Sequence, residues 1–210
     1  MEYITATSNR VQRRSIRAVS DEVRIELLRK SIHLLIAFVP AIASVNLGFA
    51  VGLLASGVLF YAACEGLRIE GWRVPIVSKV TILAARRRDG NGYVLGPVTL
   101  GLGALLSLLL YPNPAASIAI YALAFGDGLS SLVGKTFGSV RLPFTGGKSL
   151  EGSLACMAAT FVAAYALTGN APKSLVIAVA AMVVEAAPTK DLDNIILPVS
   201  VGALAALLFR

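Results

Sequence analysis

The chain has 210 residues, 56% of them hydrophobic and only 15% charged, with a formal net charge of +7 and a mean hydropathy of +0.75. These values exclude an ordinary soluble domain and place the chain among integral membrane proteins. The alternating pattern of a membrane barrel is missing while apolar runs reach bilayer-spanning length, so the predicted fold class is all-α.

Residues 1–30 carry Arg10, Arg13, Arg14, Arg17, Arg24, Arg29 and Lys30, and Ile16, Val19, Val23 and Leu27 recur on one helical face. This pattern predicts an N-terminal amphipathic helix lying on an anionic membrane surface. Arg13-Arg14 precede an apolar run, as in a secretory signal, but Asp21, Glu22 and Glu26 interrupt the approach. Residues 31–210 read as a single transmembrane catalytic domain of about seven helices, with spans near 32–48, 50–67, 94–111, 114–133, 149–168, 173–187 and 192–209. Short turns built on Asn46, Pro112-Asn113-Pro114 and Gly169-Asn170-Ala171-Pro172 alternate with polar connections at 68–93, 134–148 and 188–191. The 68–93 connection predicts a further interfacial helix, followed by the anchor Arg86-Arg87-Arg88.

Lys and Arg accumulate on the cytoplasmic side of membrane proteins. With this layout every Lys and Arg except Lys173 and Arg210 lies inside. The N-terminus and the polar loops are therefore expected in the cytoplasm and the C-terminus outside. The carboxylates fall on the same side, which the basic-residue rule does not require. The positive charge is ascribed to membrane lipids, and no nucleic-acid partner is drawn from it.

A charge inside a span costs roughly 2.5–3.5 kcal/mol on insertion scales, so such residues point to function. Glu65, Asp127, Glu151, Glu185 and Asp193 qualify, although Glu65 and Arg68 also have the spacing of a simple helix-end pair. Asp127 stands out because an apolar run, Ile118 to Phe125, precedes it and Gly126 and Gly128 flank it, while Ser130 and Ser131 share its helical side. The fragments Gly134-Lys135-Thr136 and Gly147-Lys148-Ser149 resemble the end of a P-loop, but Leu129 and Leu142 replace its first glycine. Their chemistry still suits phosphate, with an ammonium and exposed backbone N–H groups, as at Gly146-Gly147 beside Lys148. Single His33 and the apolar settings of Cys64 and Cys156 leave an oxygen-ligated ion, Mg²⁺, as the expected metal, held by Asp127 with Glu185 or Asp193. One of these carboxylates instead takes a substrate proton. Arg29, Lys30 and His33 sit where the first helix meets the interface, within reach of a nucleotide or lipid phosphate.

Taken in order, Arg29-Lys30-Ser-Ile-His33, Glu65-Gly-Leu-Arg68, Gly126-Asp127 through Gly134 and Gly138, Lys148-Ser149-Leu-Glu151-Gly152, and Glu185 through Asp193-Asn194 with Pro198 resemble the CTP-dependent lipid-alcohol kinase family. That family includes dolichol kinase, phytol kinase and the CTP-type diacylglycerol kinase. The resemblance implies a donor, CTP, bound by Asp127, Lys135, Lys148 and Glu151, and an acceptor that is a long-chain lipid alcohol of polyprenol, dolichol or phytol type. Ser149, Gly152 and Asn194 belong to the same matching pieces. The expected activity is transfer of the γ-phosphoryl of CTP, with Asp127, Lys148, Glu185 and Asp193 as the catalytic set. Two other enzymes fit the same rim, a CTP-dependent diacylglycerol kinase and a phosphatidate cytidylyltransferase. A membrane transporter is the non-enzyme alternative, disfavoured by the absence of an internal repeat.

Overall fold

The computed structural model describes Val23 and residues 26–72, 74–85, 92–189 and 192–210. Most of the predicted surface helix, the triple arginine at 86–88 and Lys190-Asp191 lie outside the described residues. Among the described residues the chain is all-helical, with no strand and one isolated bridge between Arg141 and Ser149.

Among the described residues eight helices follow in order. They are α1 (Glu26–Val45), α2 (Leu47–Ile69), α3 (Pro75–Ala84), α4 (Gly96–Leu110), α5 (Ala115–Thr136), α6 (Leu150–Thr168), α7 (Ala171–Ala186) and α8 (Asp193–Leu208). Each of the seven predicted segments is helical, and α3 is the extra helix expected in the 68–93 connection. Four helices, α1, α2, α5 and α6, are long and apolar enough to cross a membrane. Helices α4 and α8 are apolar but shorter, and at ~1.5 Å per residue each covers less than a full ~30 Å hydrocarbon core.

The turns form where the breakers stand. Asn46 caps α2 by accepting from the Phe49 N–H at 2.9 Å, and Asn170 caps α7 through the Lys173 N–H at 3.1 Å. Gly169 ends α6 at φ +65°, the left-handed conformation that glycine adopts without a Cβ clash. Ala187, held extended ahead of Pro188, stops α7.

Helix α5 is the axis of the bundle: 61% of its spanning window is buried, against 17–28% for the other three long helices. Ala115, Ile118 and Ala122 of α5 meet Cys156 and Ala164 of α6, Ile177 and Ala181 of α7, and Leu197, Val201 and Ala205 of α8. Small residues dominate that core because helices in lipid gain from close approach rather than from escaping water. At Gly152 of α6 an added Cβ would lie 2.7 Å from the Ser130 carbonyl oxygen and 3.2 Å from Gly134 Cα. The α5–α6 seam therefore tolerates only glycine there.

Residues 30 and 31 fall inside a described helix, α1, and Glu26 and Lys30 are 1% and 2% exposed. They turn inward because their partners, Lys135 and Asp127, stand on α5.

Candidate active site

Asp127 closes a π-helical turn, Ala122–Asp127, inside α5. Such a turn inserts an extra residue and re-aims the side chains that follow, a device common at functional sites. Asp127 lies nine residues before the end of α5, or ~13 Å along the helix. A carboxylate so deep requires a partner. It finds one in Lys30 of α1, whose ammonium donates to Asp127 Oδ2. His33 Nδ1 lies 3.1 Å from the same oxygen, without the alignment of a hydrogen bond. One helical turn earlier Glu26 receives Arg29 and, from the end of α5, Lys135. Thus Glu26, Lys30 and His33, at i, i+4 and i+7, form a polar stripe that zips α1 to α5.

A second carboxylate closes the other wall. Glu185, 7% exposed and one residue from the end of α7, forms an ion pair with Lys148 Nζ at 3.0 Å and accepts from Ser130 Oγ and Ser153 Oγ, both at 3.1 Å. Lys148 also donates to the Glu185 backbone carbonyl. Residues of α5, α6, α7 and the loop before α6 thereby converge on one carboxyl group.

The loop 137–149 folds back on itself, with Leu142 N–H donating to the Lys148 carbonyl and Leu150 N–H to the Val140 carbonyl, both at 2.9 Å. Gly146 and Gly147 take φ +72° and +99°, which lets the chain turn just before Lys148. Ser149 caps α6 by accepting from the Gly152 N–H at 3.1 Å. Glu151 accepts from the Ser139 and Val140 N–H groups at 2.9 and 3.1 Å, fixing the loop's other limb.

Between these parts lies a cavity of about 330 Å³. Its cations are Arg29, Lys135, Arg141 and Lys148, its carboxylates Asp127, Glu185 and Asp193, and its hydroxyls Ser130, Ser131, Ser149 and Ser153, with Gly134, Gly146, Gly147 and Gly152 completing the wall. Four cations around a space bounded by glycine backbone suit a polyphosphate. The carboxylates and serines supply hard oxygen donors.

Most sequence-predicted site residues thus meet at one place. Lys30 and His33 act from behind Asp127. Gly126 is a helix-packing residue, since a Cβ there would lie 3.0 Å from Thr160 Oγ1 and 3.2 Å from Cys156 Sγ. Glu151 holds the loop rather than lining the cavity. Asn194 donates to Thr99 Oγ1 at 2.9 Å and the Gly96 carbonyl at 3.4 Å, and borders a separate cavity of about 20 Å³ with Arg29 and His33. Sequence reasoning missed Glu26, Arg141 and Ser153. Glu26 had a usable signal in its i, i+4 spacing to Lys30, and Ser153 in its i+4 spacing to Ser149.

Among the described residues no three His, Cys, Asp or Glu side chains group closely enough to chelate one ion by themselves. The donor set instead fits Mg²⁺ as such ions are usually bound with nucleotides, by one or two carboxylates plus phosphate oxygens.

No family model and no solved structure matches the chain. Curated relatives do. A probable phytol kinase 1, chloroplastic, of Glycine max is 26% identical over 167 residues, covering 70% of this chain and 55% of its own. A probable phytol kinase 1, chloroplastic, of Oryza sativa subsp. japonica is 30% identical over 164 residues, covering 70% and 52%. The farnesol kinase, chloroplastic, of Arabidopsis thaliana is 28% identical over 204 residues, covering 87% and 65%. The chain spans about half the length of the first curated relatives it matches.

Proposed function

Because the chain is a relative of plant phytol and farnesol kinases, we propose that it is a membrane kinase that moves the γ-phosphoryl of CTP to the hydroxyl of an isoprenoid alcohol. The observation that carries this reading is the cavity itself, where four cations and three carboxylates face one space at the ends of apolar helices. The choice of CTP rests on the family resemblance alone. Phosphoryl transfer asks a protein for positioning and charge neutralisation more than for covalent chemistry.

Lys148, Lys135, Arg141 and the Gly146-Gly147 turn hold the phosphate oxygens. Glu185 or Asp193 would hold Mg²⁺ together with the phosphate oxygens, and the ion would supply further neutralisation of the phosphates when bound. Among the cavity's carboxylates only Asp127 stands far from a helix end, where an alcohol arriving from the bilayer presents its hydroxyl. The alcohol oxygen forms a bond to the γ-phosphorus, the bond from that phosphorus to the β-bridging oxygen breaks, and the hydroxyl proton passes to Asp127. Lys30 and His33 orient that carboxylate and keep it ready for the proton. Products are CDP and the lipid monophosphate. The cavity faces the cytoplasm in this reading, where the nucleotide is.

The test is a transfer assay with purified protein, Mg²⁺ and CTP or ATP labelled on the γ-phosphate, offered phytol, farnesol, geranylgeraniol, a dolichol-type polyprenol and diacylglycerol in turn. Labelled lipid monophosphate from CTP and an isoprenoid alcohol is expected. Absence of label with every alcohol, or pyrophosphate release with a CDP-lipid from phosphatidate, would overturn the kinase reading.

A further inference from the structure

Four buried side-chain polar atoms have no hydrogen-bond partner among the described residues, and three of them, Arg29 Nε, His33 Nδ1 and Asn194 Oδ1, belong to residues around one small cavity. This is the cavity of about 20 Å³ that Ile32 of α1 and Gly96 and Leu100 of α4 help to close. His33 and Asn194 are 5% and 1% exposed, so bulk solvent satisfies neither. A buried polar atom left unpaired is costly, and native folds rarely keep three around one space.

Each atom is the one its side chain has left over. Asn194 spends its NH₂ group on Thr99 Oγ1 at 2.9 Å and the Gly96 carbonyl at 3.4 Å, which leaves Oδ1 as an acceptor. Arg29 spends Nη2 on Glu26, which leaves Nε–H as a donor. His33 brings Nδ1 to 3.1 Å from Asp127 Oδ2 without aligning on it. A single water satisfies a donor and an acceptor at once, and a buried one typically makes about three hydrogen bonds. The volume suits it, since roughly 10–15 Å³ is enough to hold one.

We infer that one water, buried between α1, α4 and α8, accepts from Arg29 Nε–H and donates to Asn194 Oδ1, with His33 as its third partner, and that Asn194 is thereby a positioning residue for the phosphate cavity. The inference deepens the kinase reading above and rests on it for its activity readout. Arg29 joins the two spaces, because it lines both. A guanidinium is planar, so ties at Nη2, to Glu26, and at Nε, to the water, fix its plane and leave Nη1 for a phosphate oxygen. Asp193, the neighbour of Asn194, stands in the wall of the larger cavity. The water therefore sets the cation of α1 against the carboxylate end of α8. This accounts for a residue of the last matching motif that stands off the phosphate cavity.

Leu100→Phe fills the small cavity without removing a polar group, and Asn194→Leu removes the acceptor. Each should raise KM for the nucleotide by about tenfold, with KM for the alcohol close to wild type. Combined, they should raise it little further than either alone, because both act by expelling the same water. Leu100→Met, which keeps the volume, should match wild type. Ile32→Phe fills the cavity from α1 and serves if Leu100→Phe fails to fold. A density map of the purified protein that resolves ordered waters should show one within hydrogen-bond distance of both Arg29 Nε and Asn194 Oδ1. A wild-type protein that phosphorylates no alcohol would sink the kinase reading, and the map would still decide the water. With an active wild type, a nucleotide KM unmoved by the folded filling variants, effects that multiply in the double variant, or a map in which Arg29 and Asn194 bond each other directly would overturn the inference alone.

Discussion

Two buried carboxylate clusters in this bundle are built from the same ingredients and differ in what surrounds them. At the end of α2, Glu65 is fully buried and accepts from Arg68 Nε and Nη2 at 2.8 Å, Thr81 Oγ1 at 2.9 Å and the Val94 N–H at 3.0 Å. Arg68 continues to the Gly92 carbonyl at 2.7 Å. Every lone-pair direction of that carboxylate is filled from within, and the result is a clasp joining α2, α3 and the approach to α4. At the other cluster Asp127 and Glu185 have cation partners as well, yet both face a cavity of about 330 Å³. A buried charge in a membrane helix is a pointer to function, but the pointer separates catalysis from fastening only when the space beside the charge is known.

The largest expected effect follows from the open cluster. Asp127→Asn removes the proton acceptor, and kcat should fall by about 10³-fold or more, read on the folded fraction because the buried Lys30 ammonium loses its partner. Lys148→Ala should lower kcat/KM for the nucleotide by about 10²-fold, read from initial rates across CTP concentrations. Either variant retaining wild-type transfer would break the assignment of the cavity as the reaction site.

The closed cluster should answer differently. Arg68→Met leaves the Glu65 charge buried without its main partner, costing about 3 kcal/mol of stability, measured by denaturation in detergent. The folded fraction should transfer phosphate at the wild-type kcat. Converting both residues, Glu65→Leu with Arg68→Met, should recover much of the lost stability, since a buried pair is often replaceable by apolar groups. The corresponding double change at Lys30 and Asp127 should recover none of the activity. A folded Arg68→Met protein as inactive as Asp127→Asn would erase the distinction between the two clusters.

The sequence made the helices legible because breakers and apolar runs act locally: Asn46, Pro112, Gly169 and Pro188 stand where turns form. It also singled out Asp127, Lys148 and Glu185, since charges beside apolar runs are conspicuous one at a time. Their pairing was not legible. Lys30 and Asp127 are 97 residues apart, and helical spacing carries no information about contacts between helices. Glu26 was read as an interruption of a signal because its partner Lys135 lies across the bundle. Glu65 and Arg68, three residues apart, were readable as a pair, and the structure realises that simpler reading. The π turn left no pattern in the apolar run 118–125.

The smallest effect tests the border between fastening and chemistry. Glu151 belongs by sequence to the nucleotide motif, yet its carboxylate is occupied by the N–H groups of Ser139 and Val140. Those bonds hold the limb of the loop opposite Lys148, so Glu151 acts on phosphate through the loop. Glu151→Gln keeps the length of the side chain and one acceptor oxygen but presents an NH₂ where the second oxygen stood. The loop should loosen without losing its cations. The expected outcome is a few-fold rise in nucleotide KM, with kcat and the KM for the alcohol close to wild type. A fall in kcat approaching that of Asp127→Asn would mean that Glu151 leaves its loop partners to meet the ligand, and the open cluster would then extend beyond the cavity wall to include it.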